Sequence, residues 1–256
     1  MKVTINPSYE NLRSFIESLP QRFADGEGLS LYKGRNEVRL FNNGDMRLVV
    51  KRFKRHDAYK QVAYTFFRKN KARRAFENAG MIRARGFDTP VEIAYMEEVR
   101  CGLIKQVYYI CEYTDMLPIR GELVEKEPYN AELAACYARF VAKMHAAGVL
   151  HRDLNSTNTL FRNDGTRYSF QVIDINRMTF YDGGVPKAGR MENLTLLWRL
   201  TPVYMAVLRS YADASGWTEA DIDRAVEVKR RHDRRWDRRK QFTGMLKRLA
   251  GKRNKH

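Results

Sequence analysis

The eight residues His151-Arg152-Asp153-Leu154-Asn155-Ser156-Thr157-Asn158 constrain this chain more than any other stretch. They follow an amphipathic helical run that stops at Gly148 and lead into the apolar residues 159–161, so a loop between a helix and a strand must carry them. Inside that loop a carboxylate and an amide stand five residues apart. Asp153 is placed to meet an acceptor hydroxyl as base, while the Asn158 amide oxygen turns back to hold a divalent ion on nucleotide phosphates. An aspartate in a loop is, taken alone, most often a turn residue, so the reading depends on whether the rest of such a site is present.

It is present, in order. A second carboxylate is needed because Mg²⁺ prefers one or two carboxylates together with phosphate oxygens. Residues 170–175 form an apolar strand with Asp174 near its end, 21 residues after Asp153. The lysine that grips nucleotide phosphates is supplied by Lys51 on the strand-like run 48–53, and Glu77, on a helical run, is the partner expected to fix its ammonium. H-R-D-L-x-x-x-N is matched at every fixed position, which is the catalytic-loop pattern of protein-kinase-like phosphotransferases. Two parts depart from it. No full G-x-G-x-x-G precedes Lys51, leaving Gly34 as the phosphate-covering glycine, and Asn176 stands where the glycine of a D-F-G motif would make the turn. Asn tolerates that geometry nearly as well. His151 reads as packing beneath the loop, and Arg177 as a salt-bridge partner ahead of a contact for an acidic substrate.

The surrounding patterns fit an α+β, bilobal chain. Residues 8–19 read as a leading amphipathic helix capped by Ser8. Residues 29–53 read as a β-hairpin around Asn42-Asn43-Gly44-Asp45, residues 57–80 as one or two helices stopped by Gly80, and the runs from Val91 and Gly102 as an antiparallel pair. Beyond about residue 130 the pattern turns helical, with a long helix before Gly148 and another over 191–200. The strand-rich half therefore forms one lobe, residues 1–114, and the helical half a second, residues 115–256, with ATP and Mg²⁺ between them and adenine against the backbone near Glu112 and Thr114. With 44% hydrophobic residues the chain has ample core material, and charges interrupt every apolar run before a membrane-spanning length. The N-terminal residues lack the apolar stretch of a secretory signal, and Cys101, Cys111 and Cys136 are odd in number and without metal-ligand spacing. Free thiols in the cytoplasm follow as the expectation.

Residues 34–38, 49–53, 66–77, 88–90, 151–158 and 173–177 together resemble the lipopolysaccharide kinases of the Kdo/WaaP family, a branch with an R-K-S-K-A-R-R-S-like helical segment. The resemblance spans roughly residues 25–200. It implies a protein-kinase-like fold, ATP as donor, and a sugar hydroxyl of the lipopolysaccharide inner core, Kdo ahead of heptose, as acceptor. It also implies that Lys51, Glu77, Asp153, Asn158 and Asp174 take the roles their spacing suggests.

Arg177 and the next helical run are separated by too few residues for a long activation segment, which points to a small or glycan acceptor rather than a peptide. The 47 Lys and Arg against 30 Asp and Glu give a net charge of +17, and the basic residues recur every four positions between Arg230 and Arg239. A helix there carries a basic stripe, with Trp236, Phe242, Met245, Leu246 and Leu249 as an apolar side. An anionic glycolipid acceptor at the cytoplasmic face of the inner membrane explains both features, and peripheral contact with an anionic membrane surface follows. Nucleic acid would explain the charge equally but not the catalytic residues. The alternatives are a kinase of another acceptor, protein or small molecule, and a non-catalytic kinase-fold module binding nucleic acid or an anionic surface.

Overall fold

The computed structural model describes residues 1–54, 64–65 and 68–253. The expected start of the helical run at residue 57, and residues 66 and 67, lie outside the described residues. The chain divides into two compact units, Met1–Leu117 with Gln171–Met178, and Pro118–Phe170 with Thr179–His256.

Strands β1 (Lys2–Ile5), β2 (Leu29–Lys33), β3 (Glu37–Asn43), β4 (Met46–Arg52), β5 (Glu92–Arg100) and β6 (Leu103–Glu112) form one antiparallel sheet in the first unit. Their order is β1-β5-β6-β4-β3-β2. Alternation along β4 decides which side chain faces where: Leu48 and Val50 are fully buried in the core on one face, so Lys51 projects from the other. Behind the sheet lies α1 (Arg13–Ala24), preceded by a 3₁₀ turn, Pro7–Leu12. The expected Ser8 cap is replaced by Asn6, whose side chain accepts from the Ser8 N–H. The helix also runs past residue 19 and through Pro20, because its last turn buries Phe23 against the rings of Phe41 and Tyr108 at 5.6 and 5.7 Å.

Helix α2 (Lys71–Ala84) is capped by Asn70, whose side chain accepts from the Arg73 N–H. Gly80 does not stop it. The helix continues to Ala84, and the chain turns at Gly86, where φ is +80°.

The expectation assigned all of residues 115–256 to the second lobe; Gln171–Met178 packs instead within the first unit. Its backbone needs partners there. Val172 N–H donates to the Asp88 carbonyl, the Thr89 hydroxyl donates to the Val172 carbonyl at 2.8 Å, and the Asn78 amide donates to the Ile175 carbonyl at 2.7 Å.

In the second unit, α3 (Ala131–Ala146), α4 (Lys187–Leu194), α5 (Pro202–Ser215) and α6 (Glu219–Arg253) surround a core in which Tyr137, Tyr204 and Tyr211 are almost wholly buried. The helix expected over residues 191–200 begins at Lys187 and ends at Leu194, since turn bonds close at Leu196 and Leu197 and Thr201 caps the next helix. Short strands complete the fold: β7 (Leu117–Pro118), β8 (Val149–His151), β9 (Thr159–Asn163), β10 (Tyr168–Val172) and β11 (Met178–Phe180). Among the described residues no helix is long and apolar enough to cross a membrane.

Candidate active site

Gly148 starts the site by ending α3. Its φ is +73°, and a Cβ there would stand 2.3 Å from the Gly183 carbonyl oxygen, so only glycine lets the chain pass. The next three residues, Val149, Leu150 and His151, are buried, which fixes the entry to the loop. The loop then closes on itself. The His151 Nδ1 accepts from the Asp153 N–H at 3.1 Å, Asn155 N–H donates to the Asp153 carbonyl at 2.9 Å, and the Asn158 Nδ2 donates to that same carbonyl at 2.9 Å. Asn155 Oδ1 takes both the N–H and the hydroxyl of Thr157. From the helix side, the buried Asn193 amide donates to the His151 carbonyl at 2.8 Å. Asp153 is thus held by a backbone that is bonded on both sides, and His151 has the packing role expected of it.

In the first unit, Lys51 and Asp174 meet. The Lys51 Nζ lies 2.6 Å from Asp174 Oδ1, and the Asn176 amide donates to the same oxygen at 2.5 Å. Asp174 itself takes the left-handed conformation, φ 57° and ψ 39°, at the head of a 3₁₀ turn, Ile175–Arg177. Sequence had given the turn geometry to Asn176. The structure gives it to Asp174 and buries Asn176 as a hydrogen-bond donor, because a carboxylate in that left-handed position is aimed by its neighbours rather than by its own backbone. Such a conformation in a residue with a Cβ costs on the order of 1 kcal/mol or more and persists where surrounding bonds enforce it.

The expected Lys51–Glu77 pair is not formed. Glu77 accepts from Lys69 at 2.8 Å and from Arg73 at 2.9 Å. Although partial burial acts the other way, those two hydrogen bonds hold its carboxyl below the usual range. The reason is helix rotation. Ala72, Ala75, Ala79 and Ile82 are the buried stripe of α2, and at about 100° per residue Glu77 lies roughly opposite it. Lys71, Arg74 and Asn78 lie on the flank instead, and Asn78 reaches Ile175.

That flank adds cations where a carboxylate was expected. Lys71 Nζ lies 5.9 Å from the centroid of the Phe53 ring, and Lys51 Nζ lies 5.3 Å from the same ring. Burial lowers the Lys71 pKa, and Arg35, Arg177 and Arg74 push it further down, with Asp174 opposing them. The buried Nε of Arg74 has no hydrogen-bond partner among the described residues. Lys51 and Lys71 therefore both feel the Asp174 carboxylate, and Arg35, Arg177 and Arg74 lie close enough to Lys71 to act on its ammonium; an oligophosphate would complete such an environment.

Gly34 sits in the tight turn between β2 and β3, its N–H bonded to the Asn36 carbonyl at 3.0 Å. A Cβ there would collide with the Tyr32 ring. At the segment expected to meet adenine, the N–H groups of Glu112 and Tyr113 are bonded to the carbonyls of Val91 and Arg47, and the Glu112 carboxylate accepts from Tyr9 at 2.7 Å. Burial, reinforced by Glu112, pushes the Tyr9 hydroxyl up to about 12. Thr114 accepts from Met116 N–H at 3.3 Å.

Sequence reasoning missed Lys71, Arg74, Asn78 and Asn193. For the first three a signal existed: the alanine spacing at 72, 75 and 79 marks the buried stripe and hence the flank. For Asn193 no local pattern could have served.

Among the described residues no group of three His, Cys, Asp or Glu side chains forms a metal cluster. In the second unit the Asn158 amide nitrogen is engaged by the Asp153 carbonyl, which leaves its oxygen as the acceptor end.

The model of the lipopolysaccharide kinase (Kdo/WaaP) family matches residues 26–228. A search of curated proteins finds no match. A solved structure of WaaP in complex with acyl carrier protein is similar in fold, with a TM-score of 0.57 at 18% identity, covering 89% of this chain and 99% of that one.

Proposed function

Because the chain belongs to the lipopolysaccharide kinase (Kdo/WaaP) family, we propose that it transfers the γ-phosphoryl group of ATP to a sugar hydroxyl of the lipopolysaccharide inner core, Kdo ahead of heptose. The observation that carries this reading is the self-bonded loop 151–158, which presents Asp153 from a backbone fixed at His151, Asn155 and Asn158.

Asp153 orients the acceptor hydroxyl and takes its proton as the oxygen attacks phosphorus. Lys51 holds the donor phosphates, and Lys71 and Arg74 add charge on the same side. Asn158 and Asp174 would hold a divalent ion, magnesium in this reading, which supplies charge neutralisation on the phosphates when bound. Asn176 keeps Asp174 aimed. Phosphoryl transfer of this kind asks the protein mainly for positioning and charge neutralisation, and the fixed loop and the cation-rich first unit supply those two things. Gly34, Glu112 and Thr114 mark the segments that would cover the phosphates and meet the adenine.

The acceptor is then an anionic glycolipid, and α6 supports contact with the membrane that carries it. Arg230, Arg234, Arg238 and Arg239 are exposed along that helix, and Trp236 and Phe242 are 47% and 60% exposed. Basic residues near an anionic leaflet contribute about 1 kcal/mol each. Peripheral association with the cytoplasmic face of the inner membrane follows from that chemistry.

The test is incubation with ATP, Mg²⁺ and Kdo-lipid A, followed by mass spectrometry. One added phosphate on the Kdo residue is the expected product. A protein that consumes ATP but leaves every inner-core sugar unmodified would need another acceptor, and one that binds nucleic acid with a steep salt dependence and consumes no ATP would be a binding module.

A further inference from the structure

The second unit contains a cavity of about 670 Å³. Arg152, Arg231, His232 and Arg235 line it, with Glu192 as its one carboxylate and the buried Asn193 at its wall. Three guanidinium groups facing one carboxylate repel one another unless an anion joins them.

The two acidic residues of α6 nearest the cavity arginines in sequence, Asp233 and Asp237, are engaged by other cations. Asp233 holds Lys229 at 2.9 Å, and Asp237 is paired with Arg199. Asp233 comes no closer than 3.4 Å to His232. Of the lining arginines, Arg231 has only Glu227 at 3.8 Å, and Arg152 donates its Nε to the neutral hydroxyl of Thr179. No ion pair holds Arg235 among the described residues.

The walls are fixed before any ligand arrives. Lys229, 2% exposed, donates to the Thr195 carbonyl at 3.0 Å and so anchors α6. Asn193 ties α4 to the His151 carbonyl. Anchored helices hold the bases of the three arginines in place, and their forked donors suit a tetrahedral, doubly charged group. Arg152 is also the residue next to Asp153, so one of the cavity's donors stands on the loop proposed to carry the chemistry.

We infer that this cavity binds a phosphate group carried by the glycolipid acceptor, with Arg152, Arg231 and Arg235 as its donors. The inference rests on the proposed glycolipid acceptor and names the feature of it that this unit recognises.

Equilibrium binding to phosphatidylcholine vesicles tests it, the vesicles being doped with Kdo-lipid A whose phosphates are either intact or removed with phosphatase. The full chain is compared with Arg231→Gln/Arg235→Gln and with Arg100→Gln/Arg224→Gln, which removes the same charge outside both the cavity and the basic stripe of α6. All four residues are exposed, and thermal unfolding verifies that both variants fold. The cavity variant is expected to weaken binding to the phosphorylated vesicles about tenfold or more, to bind stripped vesicles as the parent does, and to lose competition by inorganic phosphate. Equal losses on both vesicles, or an equal loss in the control variant, would mean general surface charge and overturn the inference. Inorganic phosphate that binds the parent without displacing the phosphorylated vesicles would make this a site for free phosphate and overturn the acceptor assignment. Phosphate-dependent binding without phosphoryl transfer would remove the proposed reaction and keep the cavity; transfer without phosphate-dependent binding would do the reverse.

Discussion

The ammonium of Lys51 is 2.6 Å from the Asp174 carboxylate, while Glu77, the carboxylate expected to hold it, is bound to Lys69 and Arg73. The lysine proposed to grip phosphate is thus positioned by the residue proposed to bind the metal, and the helix beside it contributes cations instead of an anion.

Lys71→Met should therefore raise the Kd for ATP about tenfold, the scale of one charge-assisted hydrogen bond, whereas Glu77→Gln should change it less than about twofold. Fluorescent-nucleotide titration measures both. If Glu77→Gln weakened binding as much as Lys51→Met, the glutamate would act on the nucleotide site after all.

Asp153→Asn keeps the size of the side chain and the backbone bonds of the loop but removes the base. Turnover should fall by about 10²–10⁴-fold, with the Kd for ATP nearly unchanged. A rate equal to that of the parent would take Asp153 out of the chemistry.

Gly148→Ala places a methyl group against the Gly183 and Tyr181 carbonyls at a φ of +73°. The combined strain and overlap should cost about 2–4 kcal/mol in urea unfolding. Gly86→Ala, with the same sign of φ but open space around it, should cost only about 1 kcal/mol.

His145 gives the chain a pH dependence. It is fully buried; Tyr211 is 2.8 Å from Nδ1 and Asn193 Oδ1 is 3.0 Å from Nε2. Since Asn193 donates its amide to His151, its oxygen must accept, which assigns the proton to Nε2 and leaves Nδ1 to accept from Tyr211. Burial lowers the pKa from 6.5 to about 4, against the bond to Asn193, with Arg190 adding to the decrease. Below 6.5 the unfolded chain binds a proton that the folded chain refuses until about 4. Stability from this group is therefore complete above pH 6.5 and declines as pH falls through that window, by a total of about 3 kcal/mol. Urea unfolding between pH 7 and 4 should show the decline, and His145→Gln should flatten it. An unchanged slope in the variant would assign the effect to other groups.

Much of this could be read along the chain because it is local. The loop 151–158 is closed by bonds among its own residues, so its fixed spacing carries its geometry, and Gly148 and the alternation along β4 place its entry and Lys51 by backbone rules alone. The family resemblance found in those segments agrees with the match over residues 26–228. What spacing could not give was rotation and partnership. Glu77 stood at a suitable distance in sequence, but the face of α2 that the core buries turned it away, and the first turn of that helix supplied Lys71 in its place. Residues 171–178 joined the first unit because their carbonyls found donors on Thr89 and Asn78. The cavity joins Arg152 to Arg231 and Arg235, about eighty residues further on. One-dimensional order fixes which groups a chain owns and the geometry of bonds it makes to near neighbours; only packing, which selects one face of each helix for burial, decides which distant charges must share a space.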